Sequence, residues 1–170
     1  MPSSPPIRVL GIDPGTATTG WGIVEDGAKP KALAYGHIGT PASWSDVDRL
    51  LEIERDLLDL CKKYRPQEAA VEKLFFFKNQ KTIISVAQAR GVTLLTLRKE
   101  TPIIGEYTPL QIKQSLTGYG RAEKHQMQMM TASLLGLSEI PKPDDAADAL
   151  AVALCHLHSR KALQQMTNRG

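Results

Sequence analysis

The first apolar run, Ile7 to Ile12, is broken only by Arg8 and Gly11, and Asp13-Pro14-Gly15 closes it. A run this short, bounded by turn residues, predicts a buried strand over Ile7 to Asp13. Gly20 to Glu25 and Ala32 to Ile38 are further strands, and the short links predict an antiparallel meander. The period then changes. Between Ser45 and Tyr64, Val47, Leu50, Leu51, Leu57, Leu58 and Cys61 recur at helical spacing, giving an amphipathic helix that Pro66 stops. Ala69 to Glu72 is a short strand. A helix follows over Gln80 to Lys99, where small Ala87 and Gly91, one turn apart, suit a close approach by another subunit. Pro102 to Tyr107 returns as a strand. Pro109 to Leu116 and Ala122 to Leu135 are helices around Gly118-Tyr119-Gly120, and a last helix runs from Pro143 to about Leu157. This order predicts a mixed α/β sheet. A helical crossover makes the strand ending at Glu72 parallel to the one ending at Asp13, which puts both carboxylates at one carboxyl edge, about 5 Å apart.

Composition narrows the class. With 170 residues, 42% hydrophobic and 23% charged, the chain reads as one soluble domain. Its expected bounds are 7–158, between a disordered 1–6 and a flexible tail, 159–170. Cys61 and Cys155 sit in apolar helical stripes and make no disulfide framework, which points to the reducing cytoplasm. No apolar stretch reaches membrane-spanning length, and Met1 to Pro6 lacks signal-peptide character, so no membrane association is expected. Net charge is +3, yet residues 73–125 carry nine positive and three negative charges. That segment suits a polyanion, or is simply a solvated basic face.

The candidate chemistry lies in carboxylates. Asp13 and Glu72 each end a strand, where an acid can cap a turn or face a ligand. In Asp144-Asp145-Ala146-Ala147-Asp148, helical geometry puts Asp145 and Asp148 on one face, opposite a core stripe of Ala147, Leu150, Ala151, Leu154 and Leu157. The helix N-terminus accounts for Asp144 and can account for Asp145; it accounts poorly for Asp148. Clustered carboxylates stay ionised only beside cations. Oxygen donors without a His/Cys cluster suit Mg²⁺ or Mn²⁺, and two such ions can activate water and stabilise the leaving oxygen in phosphodiester hydrolysis. His37, Cys61, Cys155, His156 and His158 read as core or surface residues.

Phe75-Phe76-Phe77 follow Glu72 between Lys73 and Lys78. Three consecutive rings cannot all face one core, so at least one is available to stack on an unpaired base while the lysines meet phosphates. Lys113 and Lys124 flank the Gly118 turn and can reach the same groove. Gly11 to Thr16 also resembles the first phosphate-binding turn of the actin, hexokinase and sugar-kinase fold, but those enzymes need two related domains and 170 residues are too few.

Read together, Gly11-Ile12-Asp13-Pro14-Gly15 with Thr19-Gly20-Trp21-Gly22, Val71-Glu72 with Phe75-Phe76-Phe77-Lys78-Asn79, Gln88-Ala89-Arg90-Gly91, Gln111-Ile112-Lys113-Gln114, Ala122-Glu123-Lys124 and Asp145 to Ala151 resemble the RuvC family, the bacterial Holliday junction resolvases. The resemblance implies an RNase H-like (retroviral integrase-like) α/β fold, a mixed five-stranded sheet with helices on both faces. It implies a homodimer that nicks two opposed strands of a four-way DNA junction in recombination and repair, with Mg²⁺, two ions per site, replaceable by Mn²⁺, and with 5′-phosphate products. RuvA and RuvB, the branch-migration proteins, are the implied partners. By motif, Asp13, Glu72, Asp145 and Asp148 become metal-binding catalytic acids, with Asp144 the rival of Asp145. Lys113 and Lys124 act on phosphate near the cut, and Phe75, or else Phe76, stacks at the junction. Lys73, Lys78, Lys81 and Arg121 are further DNA contacts. Two rivals are a YqgF-type RNA-processing nuclease and a junction-binding module without cleavage.

Overall fold

The computed structural model describes residues 5–73 and 81–167, with side chains described as far as Lys161. The expected Phe75, Phe76 and Lys78 fall outside the described residues. Three strands come first, β1 (Arg8–Asp13), β2 (Thr18–Glu25) and β3 (Lys31–Gly39), followed by α1 (Asp46–Tyr64), β4 (Glu68–Glu72), α2 (Ile83–Glu100) and β5 (Ile103–Tyr107). Three helices complete the chain: α3 (Pro109–Thr117), α4 (Lys124–Leu135) and α5 (Asp144–Thr167). The five strands form one sheet in the order β3-β2-β1-β4-β5. β1 pairs antiparallel with β2 and parallel with β4, as the crossover required.

Local chemistry sets the helix ends. The Ser45 hydroxyl accepts from the Asp48 N–H to open α1, with Asp46 and Asp48 on the positive end of the helix dipole. Thr108 and Gln111 form a reciprocal capping box around Pro109 in α3. The helix expected from Ala122 begins at Lys124 instead, because the Gln126 side chain accepts from the Glu123 N–H and fixes Glu123 as the cap.

Period-two alternation divides the core between the two faces of the sheet. Leu10, Ile12, Ala69 and Val71 point to one face and pack on Ile53, Leu57 and Cys61 of α1 and on Ala89 and Leu97 of α2. Val9, Ala70 and Val24 point to the other, where α5 lies, itself covered by Ile112 and Leu116 of α3 and by Met127 and Leu135 of α4. Asp13 and Glu72 share the parity of Val9 and Ala70, so both stand on the α5 side.

α5 departs from expectation twice. Rather than one apolar stripe, every residue from Ala149 to Leu157 is buried, because the helix is a middle layer between sheet and helices. It also continues to Thr167 instead of ending near Leu157. Arg160 pairs with Glu68 at 2.9 Å and Lys161 with Asp26 at 2.9 Å, which ties the first turn of the expected tail to the sheet. Glu68 is 4% exposed and is also bonded by His156 Nε2 at 2.7 Å, while His156 Nδ1 meets the Tyr107 hydroxyl at 2.8 Å. This buried network pins α5 to β4 and β5.

At two points the N-terminal half of α5 meets the sheet backbone to backbone. Gly20, the register partner of Asp13, lies directly under the Asp145 carbonyl, and Gly11 lies under that of Ala149. A side-chain carbon at either glycine would overlap that backbone oxygen. Gly20→Ala is therefore expected to destabilise the fold by about 2 to 4 kcal/mol, since neither helix nor strand can yield without losing other contacts. Urea denaturation measures it, and a loss below about 0.5 kcal/mol would show that α5 can lift off the sheet.

Candidate functional site

Each acid reaches the site from a different element. Asp13 and Glu72 end neighbouring parallel strands, whose register pairs Ile12 with Val71 immediately before them. Asp145 and Asp148 come from the first turns of α5, set down at Gly20. Carboxylate oxygens of Asp13, Asp145 and Asp148 lie within 4.8 Å of one another. Glu72 adjoins them and shares a hydrogen bond with Asp13. The loop after Asp13 is fixed by Thr19, whose fully buried hydroxyl donates to the Gly15 carbonyl at 2.6 Å and accepts from the Gly15 N–H at 3.4 Å.

The electrostatics of this group are strained. Burial first, then the Glu72 charge and its hydrogen bond, then Asp148 and Asp145, raise the Asp13 carboxyl well above its ordinary range. Asp148 is pushed up to about 6, mainly by burial, with Lys124 opposing and Glu72 and Asp145 adding to the rise. Without cations Asp13 and Asp148 are therefore harder to ionise than free carboxyls. An all-oxygen donor set of this density fits divalent cations such as Mg²⁺ or Mn²⁺.

Asp144 stands apart. Its carboxylate pairs with Lys124 at 3.3 Å and with Lys142 at 3.5 Å, and Lys124 holds it below its usual range. Asp145, not Asp144, is the acid placed with Asp13 and Asp148. Lys124 also lies 3.8 Å from Asp148. Burial works against its charge, but Asp148 and Asp144 together raise the ammonium above its ordinary value, so it stays protonated. The spacing of Asp144 from Lys124 in sequence carried no sign of this pair.

Beside the acids opens a cleft of about 690 Å³. Ile112, Met127, Ala147 and Ala151 line its floor, and Lys73, Lys113, Arg121 and Lys124 line it with positive charge. Four of the expected basic residues thus meet at the acid cluster. Lys81 is exposed in the turn before α2 and is not part of this cleft. On α2, Ile84 and Leu95 are 72% and 59% exposed, and with exposed Ala87 and Gly91 they make an apolar stripe facing away from the core.

The raised carboxyl of Asp148 has a consequence for stability. Between the ordinary carboxylate range and about pH 6 the folded chain binds more protons than the unfolded one, so metal-free stability falls as pH rises through that window. With 34% of the side chain in water, the penalty at neutral pH is discounted to about 1 to 2 kcal/mol. In EDTA at pH 7.5, by calorimetry, Asp148→Asn is expected to melt about 2 to 6 °C above the parent; a lower Tm would contradict the repulsion.

The family model for the crossover junction endodeoxyribonuclease RuvC matches residues 9–156. The crossover junction endodeoxyribonuclease RuvC of Syntrophomonas wolfei is 54% identical over 154 residues, 90% of each chain. That of Caldicellulosiruptor saccharolyticus is 54% identical over 159 residues, 92% of this chain and 96% of its own. Thermus thermophilus RuvC in complex with Holliday junction substrate superimposes with a TM-score of 0.86 at 33% identity, covering 92% of this chain and 96% of that one. The yeast mitochondrial Holliday junction resolvase Ydc2, at 14% identity and a TM-score of 0.70, shares the fold. Half-identity over nearly the whole length, on a sheet that brings its acids to one edge, makes the chain a member of the RuvC family of crossover junction endodeoxyribonucleases.

Proposed function

We propose that the chain resolves four-way DNA junctions as a homodimer, nicking two opposed strands at symmetric positions. The acid cluster opening on a cleft lined by Lys73, Lys113, Arg121 and Lys124 carries this reading, because hydrolysis of a phosphodiester needs both at one place. Asp13, Glu72, Asp145 and Asp148 hold divalent metal, Mg²⁺ by preference with Mn²⁺ as substitute, two ions per site. Bound there, the metal supplies Lewis acidity to the phosphate and to the attacking water. The chain's own residues do the rest. Lys113 and Lys124 meet the non-bridging oxygens. Departure of the 3′-oxygen leaves a 5′-phosphate.

The exposed apolar stripe of α2 supports the dimer, since two copies across a twofold axis give two sites for two symmetric cuts. The Thermus relative was solved with Holliday junction substrate, which supports the same substrate here. Among the described residues no helix is long and apolar enough to cross a membrane. The reading adds cytoplasmic work on the chromosome beside RuvA and RuvB, and assigns Phe75, or else Phe76, to stacking at the junction, with Lys73, Lys78, Lys81 and Arg121 on phosphates.

The test is a labelled synthetic four-way junction beside a linear duplex of the same sequence, with Mg²⁺, Mn²⁺ or EDTA. Paired, metal-dependent nicks on the junction alone are expected, and Asp13→Asn should lose them while binding the junction within about threefold of the parent. Tight binding without cutting under any metal would make the chain a binding module, and neither would return it to RNA processing. Lys124→Ala is expected to lower the nicking rate about 100-fold with little change in junction affinity, read by single-turnover kinetics. A loss confined to affinity would reduce Lys124 to a docking contact.

A further inference from the structure

The Gln88-Ala89-Arg90-Gly91 segment of α2 has no part in the chemistry above, and Arg90 belongs to the basic stretch of the sequence. Its charge is nevertheless not turned to the cleft. The side chain is only 19% exposed and ion-paired through Nη2 with Glu106 of β5. Arg90 Nε donates, at a long 3.4 Å, to the main-chain carbonyl of Glu72. Glu106 lies opposite Val71 in the β4–β5 register, one residue before Glu72. The other end of that same peptide is held from the opposite side, where the Lys73 N–H donates to the Tyr107 carbonyl at 2.7 Å. One guanidinium thus spans α2, β5 and the last residue of β4.

We infer that Arg90 is a positioning residue for Glu72. It fixes the Glu72 peptide to α2, so that the carboxyl side chain meets Asp13 at a set height, and the apolar stripe of α2 moves as one body with the acid cluster. A planar fork holds a carboxylate and a carbonyl at fixed relative positions; lysine's donors, on a rotating point charge at the end of a flexible stem, do not. The inference rests on Glu72 being one of the metal-binding acids, as proposed above.

The test compares Arg90→Lys, Glu106→Gln and Glu72→Gln with the parent, using Mn²⁺ binding followed by electron paramagnetic resonance without DNA, single-turnover nicking and junction affinity. Arg90→Lys is expected to raise the Mn²⁺ midpoint about tenfold and to slow nicking about 10- to 100-fold, with junction affinity within about twofold. Glu106→Gln, which keeps an acceptor but not the charge, should move both in the same direction by a smaller factor. A folded Arg90→Lys with unchanged Mn²⁺ midpoint overturns the inference, and so does a loss carried wholly by junction affinity, which would make Arg90 a DNA contact. If Arg90→Lys does not fold, an unaltered Mn²⁺ midpoint in Glu106→Gln is the overturning result. An unchanged midpoint in Glu72→Gln would instead remove the metal role of Glu72 on which the inference stands.

Discussion

The backbone of α5 rests on the backbone of the sheet, and the site depends on that contact. Gly20 is opposite Asp13 across β1 and β2, and the Asp145 carbonyl sits on Gly20. No layer of side chains intervenes at this point, so the spacing between the strand that carries Asp13 and the helix that carries Asp145 and Asp148 is set backbone to backbone. Gly11 repeats the contact one turn further along the helix, under Ala149. Two glycines thus set both the height and the direction of the helix that carries half of the acids.

On this frame, charge is arranged in opposition. Four carboxyl groups crowd the carboxyl edge of β1 and β4, two of them forced towards their protonated forms by burial and by one another. Lys124 leans over them from α4, held by Asp144 and close to Asp148, while Lys73, Lys113 and Arg121 line the cleft beside them. Such an arrangement favours ligands that bring positive charge to the acids and negative charge to the rim. A divalent cation with a phosphodiester answers both demands in one complex.

Much of this was legible from residue pattern. The strands and most helix ends fall within a few residues of their predicted places, because Pro, Gly and capping residues announce them locally. The parallel pairing of β1 and β4 followed from the crossover, and with it the meeting of Asp13 and Glu72. Three features were not legible, and each depends on partners far away in the chain. The length of α5 is decided by Glu68 and Asp26, which receive Arg160 and Lys161. Its all-round burial is decided by α3 and α4, which amphipathic reading of one helix cannot see. The partner of Asp144, which spacing had already set apart from the Asp145–Asp148 face, is Lys124, on another helix. Phe75 and Phe76 lie outside the described residues.

The buried Glu68 network bears on how the chain is made. Glu68 emerges from the ribosome long before His156 and Arg160, the two groups that hydrogen-bond its carboxylate inside the fold. Until α5 arrives, β4 carries a carboxylate that the core cannot accept, and the sheet lacks the layer that covers one whole face. Asp13 likewise waits for Asp145 and Asp148. The acid cluster therefore comes into being only with the last helix, and a nascent chain stalled before α5 has neither a closed core nor a complete set of acids.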